Sequence, residues 1–198
     1  MSDILLEPLP TRWAGRAIDW DFRPMVWFNG QFIRLPDKTQ MPELARQALK
    51  RFYRVPIPPV EEEAAFEALL DFYTAGPSEK PDSTGPCYGH TDEMALDYVT
   101  DGPPLAAAFQ QAYGIDLTTA RLHWWRFKAL VSALPEETQM AKIMSYRTVD
   151  LNRLEGEERE RYAALKERFA LPAHLRKGGK RIVTLQDRDA AFAARFRR

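Results

Sequence analysis

His123 stands directly before Trp124 and Trp125 in the stretch "LHWWRFKALVSAL", residues 122–134. An imidazole beside two indoles has the makings of a general base or of a platform for stacking bases. A general base, however, needs a nucleophile or an orienting carboxylate, and neither a G-x-S-x-G nor an H-E-x-x-H pattern accompanies it. His123 is therefore read as a hydrogen-bonded structural residue. Cys87 and His90 are spaced like half a zinc site. A closed zinc site takes about four ligands, and the chain has one cysteine and three histidines in all, so zinc is set aside. The run Glu61, Glu62, Glu63 follows two prolines and a valine, which reads as the negatively charged first turn of a helix rather than a metal cluster. No glycine-rich phosphate loop occurs, which argues against an ATP-driven machine. These residues define no catalytic set, and no enzyme, cofactor or metal is expected.

The elements that carry these residues are mostly helical. "RAIDWDFR" alternates enough for a short strand or extended segment, and a helix can begin at Asp21 with Pro24 in its first turn. Pro42 opens a second helix, in which Leu44, Ala48 and Phe52 recur four apart. In "PPVEEEAAFEALLDFYTAGP" the residues Phe66, Leu69, Leu70 and Tyr73 form one stripe before Gly76 stops the helix. Leu105, Ala108, Phe109 and Ala112 mark another helix, with Gly114 placed to end it in the left-handed conformation and Ile115 to make the accompanying contact. Asp116 or Thr118 can cap a further helix at once, which predicts a hairpin or sharp corner.

On that further helix, at about 100 degrees per residue, Leu117, Ala120, Trp124, Phe127, Val131 and Leu134 share one face. Leu122, Trp125, Ala129 and Ala133 share a second, with Arg121, Lys128 and Ser132 between the two on one side. Two apolar stripes imply partners on two sides, hence a central helix. Adjacent indoles that diverge in this way do not form a base-stacking surface, and the neighbouring segment is acidic. Downstream, Met140, Ile143, Met144 and Arg147 lie along one side of a helix that fills a core or lines a tolerant groove. "EGEERERYAALKERFALP" is a charged, peripheral helix with a thin stripe of Tyr162, Leu165 and Phe169.

The expected fold is thus mainly α, an irregular helical bundle with a short extended or β segment near the N-terminus. The expected organisation is a helical domain over 1–170, with a mobile loop at about 74–91, and a basic segment over 171–198 as a peripheral helix or tail. Within that tail, Thr184 and Asp187 have capping-box spacing, and Leu185, Phe192 and Phe196 form a narrow apolar face.

Charge is balanced overall, 28 acidic against 28 basic residues, but it is not evenly spread. Residues 55–101 hold eleven acids and one base, and residues 174–198 hold eight bases and two acids. The balance gives no whole-chain case for nucleic acid, although a basic arm at the end would bind phosphates in a salt-dependent way. A lone cysteine excludes an intramolecular disulfide and points to a reducing cytosol. No apolar run approaches the eighteen or so residues of a membrane helix, and "MSDILLEPLP" does not resemble a signal peptide.

Residues 106–147, "AAAFQQAYGIDLTTARLHWWRFKALVSALPEETQMAKIMSYR", closely resemble the signature region of the bacteriophage family named after "gene product fifteen". "YGIDL" and "LHWW" carry the likeness at their mutual spacing, and "DFR" at 21–23 and "FEALLDFYTAG" at 66–76 follow the same order of elements. The resemblance implies a small helical protein encoded among phage or prophage tail genes. It further implies a tail assembly chaperone in the host bacterial cytoplasm, which binds the tape-measure protein, with the tail-tube protein as a further partner; the acidic middle and basic end could separately steer self-association or client contacts in a salt-dependent way. Trp124, Trp125, Phe127, Met140, Ile143, Met144 and Arg147 are the candidate partner-binding residues. A structural tail or connector component retained in the virion is the alternative, followed by a DNA-binding accessory protein.

Overall fold

A computed structural model of the chain describes residues 8–36, 38–75 and 93–176. By backbone proximity it divides into two compact units. Among the described residues, the first is drawn from 8–75 and 121–131, and the second from 93–120 and 132–176. The loop expected at 74–91 and the basic segment 171–198 lie mostly outside the described residues, as do Cys87, His90, Thr184, Asp187 and the apolar face of the tail.

The fold is mainly α-helical with one small antiparallel hairpin, as the sequence pattern predicts. In the first unit, β1 (Arg12–Trp13) pairs with β2 (Arg16–Ala17), Arg12 opposite Ala17 and Trp13 opposite Arg16. Ala14 and Gly15 make the turn with φ of 47° and 75°. Two positive φ values suit the right-handed twist of the flanking strands, and asparagine followed by glycine is the favoured pair there. Alanine is strained in this region, by about 1–2 kcal/mol. Ala14→Asn is accordingly expected to stabilise the protein by about 0.5–1 kcal/mol, read as a higher midpoint of thermal unfolding. An unchanged or lower midpoint would refute the strain at Ala14 as a source of instability.

Helix α1 (Phe22–Ile33) starts where Asp21 caps it, accepting from the Arg23 amide at 3.1 Å, and Pro24 sits in its first turn. Helix α2 (Met41–Phe52) follows, with Pro42 and Glu43 in its first turn and Lys50 and Arg51 in its last, a distribution that complements the helix dipole. Helix α3 (Glu62–Thr74) begins in the glutamate run, where Arg16 pairs with Glu61 and Arg46 with Glu62. Successive helices pack on one another, α1 on α2 and α2 on α3. The core between them is strongly aromatic: Phe28, Phe52, Phe72 and Tyr73 are all fully buried.

In the second unit, α4 (Gly102–Tyr113) ends at Gly114 in the left-handed conformation, φ 66°. The Gly114 amide donates to Gln110 O at 3.1 Å and the Ile115 amide to Phe109 O at 3.3 Å, the expected pair of terminal bonds. The helix expected to start at Leu117 does not. Residues 114–122 contain only a turn, His123 bridges to Asp21, and α5 (Trp124–Ser132) begins seven residues after Leu117. Leu117, Ala120 and Leu122 are therefore not on it, nor are Ala133 and Leu134, and no helix follows Gly114 at once.

Two effects explain the difference. The Asp116 carboxylate accepts from the Thr118 amide at 2.8 Å and from the hydroxyls of Thr118 and Thr119, which gives the backbone an alternative to helix. Those bonds hold the Asp116 carboxyl below its ordinary pKa. In the first unit, Leu122 and Trp124 are taken up by strand-like pairing: the Phe22 amide donates to Leu122 O and the Trp124 amide to Trp20 O, each at 2.9 Å.

The rest of the second unit consists of α6 (Gln139–Thr148) and α7 (Gly156–Arg168). Thr138 caps α6 by accepting from the Ala141 amide at 3.3 Å. Helix α6 packs on both α4 and α7. Helix α7 buries no residue fully, as its charge pattern predicts, and is pinned by Lys166, whose ammonium donates to Val149 O and pairs with Glu93 at 3.0 Å. No helix of the described residues is long and apolar enough to cross a membrane.

Candidate functional site

In the first unit the two indoles act as a clamp. A helix leaves its last four carbonyls without partners inside the helix, and a buried end must find donors elsewhere. Helix α3 ends in the interior, with Phe72 and Tyr73 both at 0% exposure. Trp124 Nε1 donates to Tyr73 O at 2.9 Å, and Trp125 Nε1 donates to Phe72 O at 2.9 Å. Lys128, one turn after Trp124, donates its ammonium to Tyr73 O at 3.1 Å and to Ala75 O at 2.8 Å. Three side chains of one helix thus complete the end of another. The lysine charge also sits where the dipole of α3 is negative.

The same indoles pack through their faces. Trp124 stacks on Tyr73 with centroids 5.3 Å apart, and Trp125 stacks on Phe72 at the same distance. Trp13 of β1 meets Trp125 edge-on at 5.6 Å, and Phe22 stacks on Phe127 at 4.5 Å. The two indoles diverge, as the helical period requires, and each has its own partner. Trp124, Trp125, Phe127 and Val131 are buried, whereas Arg126 is exposed. Sequence placed Lys128 among the boundary residues; its burial answers the needs of carbonyls some fifty-five positions earlier, a signal that no local pattern carries.

His123 holds the start of α5. Its Nδ1 accepts from the Trp125 amide at 3.1 Å, so the proton is on Nε2, which donates to Pro10 O at 3.1 Å. Trp20 stacks on one face of the imidazole, with Arg121 over the Trp20 ring. Burial pushes the His123 pKa below its ordinary value of 6.5, against the opposing pull of the Pro10 carbonyl. Protonation would also turn Nδ1 into a donor facing the Trp125 amide.

A pKa depressed on folding means that the unfolded chain takes up the proton first as pH falls. The contribution of His123 is therefore complete above about pH 6.5 and is lost as pH drops from there through the lower folded value. His123→Asn, which keeps a cap acceptor, should flatten that part of the stability profile. Urea unfolding across pH 5–7.5 tests this, and parallel profiles for the two proteins would refute it.

In the second unit the polar focus is a buried ion pair. Asp101 immediately precedes α4 but does not turn its carboxylate to the α4 amides. Instead Arg147 of α6 meets it with both terminal nitrogens, at 2.6 and 2.8 Å. The guanidinium also donates to Ala95 O at 3.0 Å and to Phe169 O at 2.6 Å, and Asp101 accepts the Asp97 amide at 2.9 Å. Their side chains are 7% and 3% exposed. One arginine thereby ties α6 to the start of α4, to the segment before it and to the chain after α7.

The seven candidate partner-binding residues are divided between the units: Trp124, Trp125 and Phe127 in the first, Met140, Ile143, Met144 and Arg147 in the second. All are buried except Met144, which is half-buried. Among the described residues, no group of three or more histidine, cysteine, aspartate or glutamate side chains is placed to hold a metal ion.

These features describe a mainly α-helical protein in which His123, Lys128 and Arg147 each donate to its own backbone. The family model described as "Bacteriophage Gp15 protein" matches residues 16–171, which is most of the chain, and the protein belongs to that family. No curated protein and no solved structure matches it.

Proposed function

We propose that this protein is a non-catalytic tail assembly chaperone of a phage or prophage, which binds the tape-measure protein and assists assembly of the tail tube. The observation that carries the reading is family membership over residues 16–171. The side chains with the greatest chemical potential give it further support. His123, Lys128 and the Arg147–Asp101 pair are engaged with backbone groups or with each other in the interior. In this reading the candidate residues Trp124 to Arg147 hold the shape that presents a binding surface, and binding alone shields the amphipathic faces of a client. The protein acts in the cytoplasm of the host bacterium.

Co-expression with the tape-measure protein encoded beside it is the test. The client is expected to become more soluble and to co-purify. Unchanged solubility without co-purification would refute the reading. Mass spectrometry of purified particles separates it from a structural tail component, since a chaperone is absent from the virion.

A further inference from the structure

The segment joining α2 to α3, "RVPIPPV" at 54–60, is the most exposed apolar stretch among the described residues. Val60 is 91% exposed and Val55 48%; Pro56, Pro58 and Pro59 are exposed and Ile57 is half-buried. Pro58 has φ −60° and ψ 144°, the polyproline II conformation. Both ends are fixed. The Arg54 amide donates to Ala17 O at 3.1 Å and the Asp19 amide to Phe52 O at 2.7 Å, while the Glu61 amide donates to Pro58 O at 2.9 Å and Glu61 pairs with Arg16. The ridge is thus preorganised, so docking onto it costs little ordering entropy. Three prolines remove the amides that strand addition would use, which leaves side-by-side apolar packing as the mode of contact.

Charge is arranged with a direction. Lys50 and Arg54 precede the ridge and are exposed, and Glu63 follows it and is exposed, whereas Glu61 and Glu62 are half-buried against Arg16 and Arg46 and Arg51 lies over the Trp27 ring. Arg54 reaches Asp19 only at 4.0 Å, and its side chain is 52% exposed. A ridge that is basic at one end and acidic at the other complements a reversed copy of itself, which is the condition for a two-fold interface.

We propose that residues 54–60 form a self-association surface on which a second copy of this chain packs antiparallel, about a two-fold axis near Pro58. Arg54 of one copy then faces Glu63 of the other, and the valines and prolines of both leave water together. The ridge is smaller than the roughly 800 Å² per partner of a standard interface, so the dimer is weak, with a dissociation constant of about 10 µM or higher. This inference does not depend on the proposed chaperone function.

Sedimentation velocity of the full chain over a concentration series tests it. At low salt the average mass should rise toward that of a dimer, and added salt should lower it. Val60→Glu and Arg54→Glu should each weaken association by about tenfold or more, and Arg54→Glu combined with Glu63→Lys should restore it to within about threefold. Circular dichroism melts confirm that each variant is folded. A monomer at every concentration, dimerisation indifferent to Val60→Glu, or a charge swap that fails to restore it would overturn the proposal. Should the ridge variants instead reduce retention of a co-expressed tape-measure protein by a monomeric chain, that client is the occupant and the inference fails.

Discussion

Trp124→Ala and Trp125→Ala are each expected to cost about 3–5 kcal/mol of stability, the range for truncating a large buried aromatic side chain. Each change removes a ring from a stacked pair and a donor from the end of α3. Domains of this size are stable by about 5–15 kcal/mol, so either loss would consume a large part of the margin. Phenylalanine at the same positions separates packing from hydrogen bonding. Trp125→Phe removes the indole donor from Phe72 O, for an expected cost of about 1–3 kcal/mol. Trp124→Phe should be milder in that respect, because Tyr73 O keeps the Lys128 ammonium. Urea unfolding followed by circular dichroism gives all four values. If the alanine variants remain as stable as the parent, the clamp does not hold the unit together.

Arg147→Met should be as damaging, at about 3–5 kcal/mol, because it leaves the Asp101 carboxylate buried without its counter-charge. It also strips a donor from Ala95 O and Phe169 O. Arg147→Lys keeps the charge but not the planar fork that meets both carboxylate oxygens, and should recover only part of the loss. Combining Arg147→Met with Asp101→Leu removes both charges, so the double variant should fall short of the summed single effects by about 2 kcal/mol. Additive effects would mean that the two side chains act independently, contrary to the geometry.

Helix starts and stops were largely legible in the sequence because their causes are local. Asp21 before an apolar run, Pro42 and the glutamates in first turns, and Gly114 after Tyr113 each act within one turn of chain, and the structure follows them. The start of α5 was misplaced because its cause is distant: residues 122–124 are held by the backbone of 20–22, about a hundred positions earlier. The buried lysine escaped notice for the same reason. Arg147 did leave a trace, since an arginine in line with Met140 and Ile143 on an apolar stripe requires a buried acid. Its partner, forty-six residues back, could not be named from spacing alone.

The donors that finish α3 also set a constraint on biosynthesis. Helix α3 is complete at Thr74, yet the indoles and ammonium that complete its end belong to residues 124–128. At bacterial translation rates the intervening fifty or so codons take roughly 3–10 s. Throughout that interval the nascent chain carries Phe72 and Tyr73 without the indoles that stack on them, and a product cut short before Trp124 could never acquire them.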